Sequence, residues 1–168
     1  HSILHALKNR ERSFLRFLTT KEQWSILKNQ VDKNSLLNLQ AILEFCDTHS
    51  LQEEAKKYFR SLECDYFRPP GNALLLASPL TPAPIERLYQ DLKNGKKLKI
   101  LCLDQVTDMQ NIGAIWRTAA FFGIDYIVGE FRKSPGFIPS FIRQASGGYE
   151  YIPLIQISSL SRFINRVH

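Results

Sequence analysis

The strongest constraint on the fold is a regular alternation of strand and helix patterns that begins at residue 98. LKILCLD (98–104) is a near-continuous apolar run, typical of a strand buried on both faces of a sheet. A helix is predicted over 112–122, a second strand over 124–129, a helical segment around 137–145, and a third strand within 149–157. Another helix begins near residue 158. Short loops between these elements predict an α/β fold with a parallel sheet.

The first half of the chain predicts a separate, smaller α/β domain. Helices are predicted over 2–11, 35–49 and 50–62, and strands over 14–20 and 72–78. In a regular strand, Arg16 would lie on the same face as Phe14 and Leu18. The first of these strands can direct Arg16 away from them only if its pleat is imperfect. Three prolines within 79–84 indicate a stiff connection, followed by a helix over 85–95 that ends near Gly95. We therefore expect domains over 1–80 and 98–168, joined by a linker and helix over 81–97.

Composition narrows the function without deciding it. Lys and Arg number 22 against 16 Asp and Glu, a net charge of +6 that suits a polyanionic partner such as a nucleic acid but is also found in many ordinary domains. The three cysteines form no CxxC pair and the four histidines have no metal-ligand spacing, so we expect a reduced, cytoplasmic chain without a metal. No apolar run is long enough to span a membrane. P-loop and dinucleotide glycine fingerprints are absent, which disfavours an unrelated nucleotide-binding enzyme.

One arginine interrupts the otherwise apolar helix that follows the first parallel strand. Asn111 is predicted to cap this helix at the carboxyl end of the strand, where ligands of parallel sheets bind. Gly113 lies four residues before Arg117 on the same helix face and would leave room above the guanidinium. Arg117 could then bind a phosphate bidentately. The alternative is a salt bridge to one of three carboxylates, Asp104, Asp108 or Asp125.

A second candidate stretch is RQASGGYE (143–150), in which Ser146, Gly147 and Gly148 form a tight turn before a strand. The turn is either an ordinary loop or a place where the backbone closely approaches a ligand or a second subunit.

Together these stretches resemble the SpoU (TrmH-type) branch of the SPOUT methyltransferases, which methylate ribose 2′-hydroxyls of tRNA or rRNA. The family's first motif, roughly D-P-x-N-x-G-a-x-x-R-[ST]-A-x-x-x-G, reads DMQNIGAIWRTAAFFG from Asp108 to Gly123. The second motif, K-x-S-x-G-A-x-E-x-x-P, is matched at Ser146, Gly148, Glu150 and Pro153. The segment HSILHALKNRERSFLRFLTT is similar to the start of the ribosomal-protein-like RNA-binding domain that precedes many such enzymes.

The sequence departs from the family pattern in two places. Met109 stands where the first motif usually has proline, which loosens the loop and leaves Asn111 and Arg117 in register. The third motif, which ties the trefoil knot and supplies most S-adenosylmethionine contacts, would lie beyond His168. The resemblance therefore implies an incomplete knot, cofactor-binding residues outside this chain, and a fragment that is inactive by itself.

The resemblance also implies roles for individual residues. Arg117 is expected to be catalytic with Asn111, positioning the target phosphate and ribose mainly by electrostatics. The expected substrate-binding residues are Asp108, Gly113, Ser146 and Glu150. The implied parent protein is an S-adenosylmethionine-dependent RNA 2′-O-methyltransferase and a homodimer, with rRNA favoured over tRNA by the attached RNA-binding domain. The alternative is a non-catalytic RNA-binding protein that keeps the SPOUT fold.

Overall fold

The computed structural model describes residues 2–68, 70–131 and 138–167 of the chain. The chain divides into two compact units, Ile3–Leu80 and Thr81–His168. The division falls within the proline-rich stretch 79–84.

The first unit is built on a three-stranded mixed sheet with the order β2-β1-β3. Strand β1 is parallel to β2 and antiparallel to β3. The elements, in chain order, are α1 (Ser2–Lys8), β1 (Phe14–Thr19), α2 (Lys21–Leu27), α3 (Lys33–Ala41), β2 (Leu43–Phe45), α4 (Thr48–Ser61) and β3 (Ala73–Ala77). The predicted strands over 14–20 and 72–78 and the helices at 2–11 and 50–62 are confirmed, with α1 ending three residues earlier than predicted.

The single helix predicted over 35–49 is wrong. Helix α3 ends at Ala41, and Leu43–Phe45 forms strand β2, paired with Phe17–Thr19 of β1. The next helix, α4, starts independently, because the carboxylate of Asp47 accepts a 2.8 Å hydrogen bond from the Ser50 amide. The apolar spacing in this stretch fits a helix, but the edge of β1 offers backbone hydrogen bonds that the sequence pattern does not reveal.

Arg16 occupies the imperfect pleat that its position predicted. The pairing of β1 with β3 is irregular between Phe14 and Arg16. The guanidinium donates two 2.6 Å hydrogen bonds to Glu44 on β2 and one of 2.8 Å to Glu54 on α4. A cation on the sheet is thus joined to both a neighbouring strand and the covering helix.

The core of the first unit lies on both faces of this sheet. Phe17 of β1 is fully buried with Leu27 of α2 and Leu39 of α3. Successive strand residues face opposite sides, so Leu18 is directed away from Phe17. The inward face of α4 carries the buried residues Leu51, Ala55 and Phe59. The sheet is therefore covered by helices on two sides.

The second unit contains the predicted parallel sheet. Its strand order is β4-β5-β6, and both pairings are parallel. The elements are α5 (Ile85–Lys93), β4 (Ile100–Leu103), α6 (Met109–Phe121), β5 (Tyr126–Gly129), α7 (Pro139–Ala145), β6 (Leu154–Gln156) and α8 (Leu160–Val167). The predicted alternation of strands and helices is confirmed; position 137 of the segment predicted around 137–145 lies outside the described residues.

The two faces of the parallel sheet have different partners. Tyr126 and Val128 of β5 pack in one cluster with Leu88 of α5 and with Leu160 and Phe163 of α8. Side chains alternate along a strand, so Ile127 faces the opposite side, where a parallel sheet is normally covered as well. Helices α6 and α7 connect the three strands and pack against each other. We infer that they cover this second face.

Candidate functional site

Helix α6 begins one turn earlier than predicted. Asp108, not Asn111, is the N-cap: its side-chain Oδ1 accepts a 2.7 Å hydrogen bond from the Asn111 amide. The prediction that Asn111 caps the helix is therefore wrong. Both residue types cap helices well, and Asp108 has the extended backbone that a cap requires. Asn111 lies in the first turn with its side chain exposed.

Gly113 marks the crossing of α6 and α7. A Cβ at this position would lie 2.7 Å from both the Cβ of Gln144 and the carbonyl oxygen of Phe141. The space beside Gly113 is filled by α7, so the expectation that it is open above the guanidinium is wrong. One turn further along α6, Trp116 is fully buried and meets the ring of Phe141 edge to face, with ring centroids 5.3 Å apart. The helix crossing thus fixes this face of α6 in a core.

The turn that carries the second motif packs directly on α6. Ser146 and Gly147 both adopt left-handed backbone conformations, with φ of 47° and 90°. They direct the chain so that a Cβ on Gly148 would lie 2.9 Å from the Trp116 carbonyl oxygen and 3.2 Å from the Cα of Arg117. The two stretches that stood out in the sequence therefore meet at Arg117. The close backbone approach observed here is to α6 of the same chain, and an approach of the turn to a ligand or a second subunit stays a prediction.

Arg117 is an exposed cation that has no side-chain partner in the part of the chain that the structure describes. Among the described residues, it forms no hydrogen bond or ion pair with any of the three carboxylates considered as partners. The carboxylate of Asp108 caps α6, and that of Asp125 accepts a 2.7 Å hydrogen bond from the Lys99 amide. The five N–H donors of the guanidinium are thus available to a ligand, and they match the geometry of a phosphate.

The other predicted site residues are spread along α6 and the turn. Asn111 and Arg117 are six residues apart, so they lie about 9 Å apart along the helix axis and project about 120° apart around it. No hydrogen bond joins their side chains in the described part of the chain. Ser146 is exposed at the end of α7, and Glu150 lies in the 3-10 turn Gly148–Glu150. The structure therefore brings Arg117 together with the turn, and leaves Asp108 and Asn111 at the other end of α6.

Two polar residues at the carboxyl edge of the sheet were not predicted. Glu130 follows β5, and its carboxylate accepts a 2.7 Å hydrogen bond from the amide of Leu160 at the start of α8. Gln156 ends β6, and its side-chain amide donates to the Phe131 carbonyl oxygen. Polar residues directly after parallel strands are a recognisable sequence feature. Both side chains are engaged within the protein, so they hold this edge together.

Two solved methyltransferase structures have folds similar to that of this chain. The chain superimposes on an AdoMet-bound rRNA methyltransferase from Sinorhizobium meliloti with a TM-score of 0.61 and 17% identity, covering 97% of this chain and 53% of the other. It superimposes on the SpoU methyltransferase AviRb from Streptomyces viridochromogenes, also in complex with AdoMet, with a TM-score of 0.59 and 16% identity, covering 98% and 56%. The fold is thus that of the SpoU methyltransferase structures.

The second unit is similar in sequence to a known family. Residues 99–168 match the model of the SpoU rRNA Methylase family. The chain is 34% identical over 95 residues to the 23S rRNA (guanosine-2′-O-)-methyltransferase RlmB of Acinetobacter baylyi, which is 55% of this chain and 38% of that protein. It is 34% identical over 84 residues to the mitochondrial rRNA methyltransferase 1 of Saccharomyces cerevisiae, covering 49% and 20%. The resemblance to the SpoU family is confirmed for this segment.

Each of these matches covers only part of the matched protein. The chain spans 38% or less of the two curated relatives and about half of the two solved structures. Within residues 2–68, 70–131 and 138–167, no three His, Cys, Asp or Glu side chains are grouped so that they could hold a metal ion. No helix in the same ranges is long and apolar enough to cross a membrane.

Proposed function

We propose that this chain is part of an RNA methyltransferase that transfers a methyl group from S-adenosylmethionine to a ribose 2′-hydroxyl. The observation that carries the proposal is the exposed guanidinium of Arg117, which has no hydrogen-bond or ion-pair partner among the described residues. The backbone of Arg117 lies against the Gly148 turn, within a segment that matches the SpoU family. An exposed arginine on the polar face of a helix is ordinary by itself. The position of Arg117 on two converging motifs supports a substrate role.

In this proposal Arg117 binds the phosphate next to the target ribose. A guanidinium can donate two parallel hydrogen bonds to a phosphate and so fixes both its position and its orientation. Fixing the phosphate also fixes the ribose joined to it, so that the 2′-hydroxyl oxygen can be aligned for methyl transfer, and alignment of the reacting atoms supplies much of the rate. Because a guanidinium stays protonated in proteins, Arg117 acts by position and charge rather than by accepting the proton.

The turn at 146–150 supports Arg117 in this proposal. Gly148 packs against the Arg117 backbone, so the turn limits how far this part of α6 can move. Ser146 and Glu150 flank that contact and are proposed to shape the substrate site. Asp108 acts through the helix cap and Gly113 through the helix crossing, which makes them positioning residues. Asn111 is exposed at the start of α6, where it can contact substrate.

The described residues do not by themselves form a fitted site for S-adenosylmethionine. At the carboxyl edge, Glu130 is engaged by the Leu160 amide and Gln156 by the Phe131 carbonyl. These two side chains are therefore not available to hold the cofactor. We propose that its binding residues lie beyond residue 168, and that the chain alone is inactive.

The RNA class and the role of the first unit are also proposals. The two curated relatives described above are named as rRNA methyltransferases, which supports rRNA over tRNA as the substrate. Residues 1–80 are proposed to bind RNA, a role supported by the similarity of the N-terminal segment to ribosomal-protein-like domains. A homodimer of the whole protein is proposed on the same family resemblance.

The test is methyl transfer by the longer gene product that contains this chain. The wild-type protein should transfer labelled methyl groups from S-adenosylmethionine to rRNA, and Arg117→Ala should lower kcat by at least about a hundredfold with folding intact. The matched control is Arg162→Ala, an exposed arginine on α8, which should leave the rate unchanged. Full activity of Arg117→Ala would remove the catalytic assignment. RNA binding without any methyl transfer by the wild-type protein would favour the non-catalytic alternative.

A further inference from the structure

Two adjacent phenylalanines at the end of α6 are unusually exposed. The side chain of Phe121 is 85% exposed and that of Phe122 is 62% exposed. Their rings meet edge to face with centroids 5.4 Å apart, so they form one aromatic surface. Single exposed apolar residues are common, but a contiguous aromatic pair of this kind is more typical of an interaction site.

The aromatic pair is bordered by cations on two sides. Phe121 is four residues after Arg117 on α6, so the two side chains share a helix face and lie about 6 Å apart along the axis. On the other side, the Lys99 ammonium donates a 3.2 Å hydrogen bond to the Phe122 carbonyl oxygen. Asp125 also contacts Lys99, but its carboxylate accepts a hydrogen bond from the Lys99 backbone amide and not from the ammonium. Lys97, two residues earlier, adds a further exposed cation.

We propose that Phe121 stacks on an unpaired base of the RNA substrate, next to the nucleotide whose phosphate Arg117 binds. This inference rests on the proposed function and extends it to a base-binding surface. Aromatic rings flanked by Lys and Arg are the means by which proteins bind single-stranded nucleic acid, because the cations pair with phosphates while the ring takes the base. The positive charge at both borders of the pair favours this occupant over an apolar protein surface.

The experiment measures binding of this chain to a short, fluorescein-labelled single-stranded RNA by anisotropy over a range of salt concentrations. Phe121→Ala is expected to weaken binding about tenfold, the loss typical of one stacked base. The slope of affinity against salt should stay unchanged, because no charge is removed. Phe121→Trp, which keeps an aromatic ring at this position, should bind the RNA as tightly as wild type does. An abasic oligonucleotide of the same length should bind wild type and Phe121→Ala equally.

A matched control separates stacking from a general loss of apolar surface. Ile164→Ala removes another exposed apolar side chain, on α8, and should leave RNA affinity unchanged. Circular dichroism of Phe121→Ala should show an intact fold, since the side chain is exposed. The proposal is overturned if the wild-type chain does not bind the RNA, or if Phe121→Ala binds both oligonucleotides as wild type does. It is also overturned if the substitution dissociates a dimer in sedimentation and leaves RNA affinity unchanged.

The stacking proposal and the proposed function can fail independently of each other. Loss of methyl transfer in Arg117→Ala together with unchanged RNA binding by Phe121→Ala would overturn the stacking proposal alone. Weakened binding by Phe121→Ala in a protein that transfers no methyl group would overturn the enzymatic proposal alone.

Discussion

A Cβ atom on Gly148 would lie 3.2 Å from the Cα of Arg117, so only a glycine allows this turn to rest on α6 as closely as it does. The contact joins two motifs that are about thirty residues apart in the sequence. It makes the position of the exposed guanidinium depend on the backbone of the turn.

Replacing Gly148 by alanine should therefore disturb both stability and the position of Arg117. The added methyl group would lie 2.9 Å from the Trp116 carbonyl oxygen, a contact that something must relieve. We expect the free energy of unfolding to fall by about 1–3 kcal/mol, as for other overpacked sites. Urea denaturation of the chain measures this change.

The control for this substitution is Gly95→Ala. Gly95 has a φ of +77° and nothing within 4 Å of a Cβ, so alanine there costs only backbone strain. In the longer protein, Gly148→Ala should lower kcat whereas Gly95→Ala should not. Equal rates for the two variants would show that the turn does not position Arg117.

The substitution Gly113→Ala should destabilise the chain although alanine favours helices. At an ordinary helix interior this change would stabilise by about 1 kcal/mol. At Gly113 the new methyl group would lie 2.7 Å from the Phe141 carbonyl oxygen and from Gln144, so α6 and α7 must separate. We expect a net loss of about 1–3 kcal/mol in urea denaturation. A stabilised Gly113→Ala would contradict the close crossing of these helices.

Asp91 should make the second unit sensitive to acid. Its carboxylate accepts hydrogen bonds from the Lys96 ammonium at 2.6 Å and from the Tyr126 hydroxyl at 2.8 Å. These contacts, with Lys96 as the larger cause, hold the pKa of Asp91 below its usual value. A lowered folded-state pKa contributes stability above the unfolded pKa of about 4, and that stability is lost as pH falls through the folded pKa.

The corresponding variant is Asp91→Asn. We expect it to melt at a lower temperature than wild type at pH 7, and the difference to shrink as the pH falls below about 4. Differential scanning fluorimetry across pH measures both effects. Asp104→Asn, an exposed carboxylate on a loop, serves as the control and should follow wild type throughout. A difference that is independent of pH would rule out the ionic contribution.

Arg16 should control the ionisation of Glu44 in the first unit. The hydrogen bonds from Arg16 hold the pKa of Glu44 below its usual value. In Arg16→Met, the apolar stem is kept and the charge is lost, so the pKa of Glu44 should rise toward its usual value. An NMR titration of the Glu44 carboxyl carbon measures this shift. Arg60→Met, an exposed arginine on α4, should leave the titration unchanged.

Prediction from sequence worked best for elements whose structure is determined by the local pattern of their own residues. The apolar run at 98–104 predicted β4, and Gly123 predicted the end of α6, because apolar runs and left-handed C-terminal glycines are local features. The expectation that this strand is buried on both faces is wrong: only Leu103 of β4 is buried, and the fully buried strand is β5. Prediction failed where a partner decided the structure. Leu43–Phe45 is a strand because β1 offers an unpaired edge, and α2, capped by Thr20, was not predicted.

The same distinction applies to the candidate site. The spacing of motif residues identified Arg117. Whether it forms a salt bridge depended on the tertiary structure, in which the carboxylates of Asp108 and Asp125 accept hydrogen bonds from the amides of Asn111 and Lys99. Asn and Asp are both good helix caps, so the sequence alone could not choose between Asn111 and Asp108 as the N-cap of α6. The extended backbone of Asp108 in the structure identifies it as the cap. Gly113 was predicted to leave room for a ligand beside Arg117. In the structure its missing side chain instead leaves room for α7.

The sequence by itself determined the parallel α/β order of the second unit and the two motifs, because periodicity and turn residues are local properties of the chain. Only the tertiary structure decided that those motifs touch at Gly148 and Arg117, and that an aromatic pair bordered by cations extends from the arginine. Contacts between distant segments depend on how helices pack and which polar groups are already paired, and no local pattern encodes either.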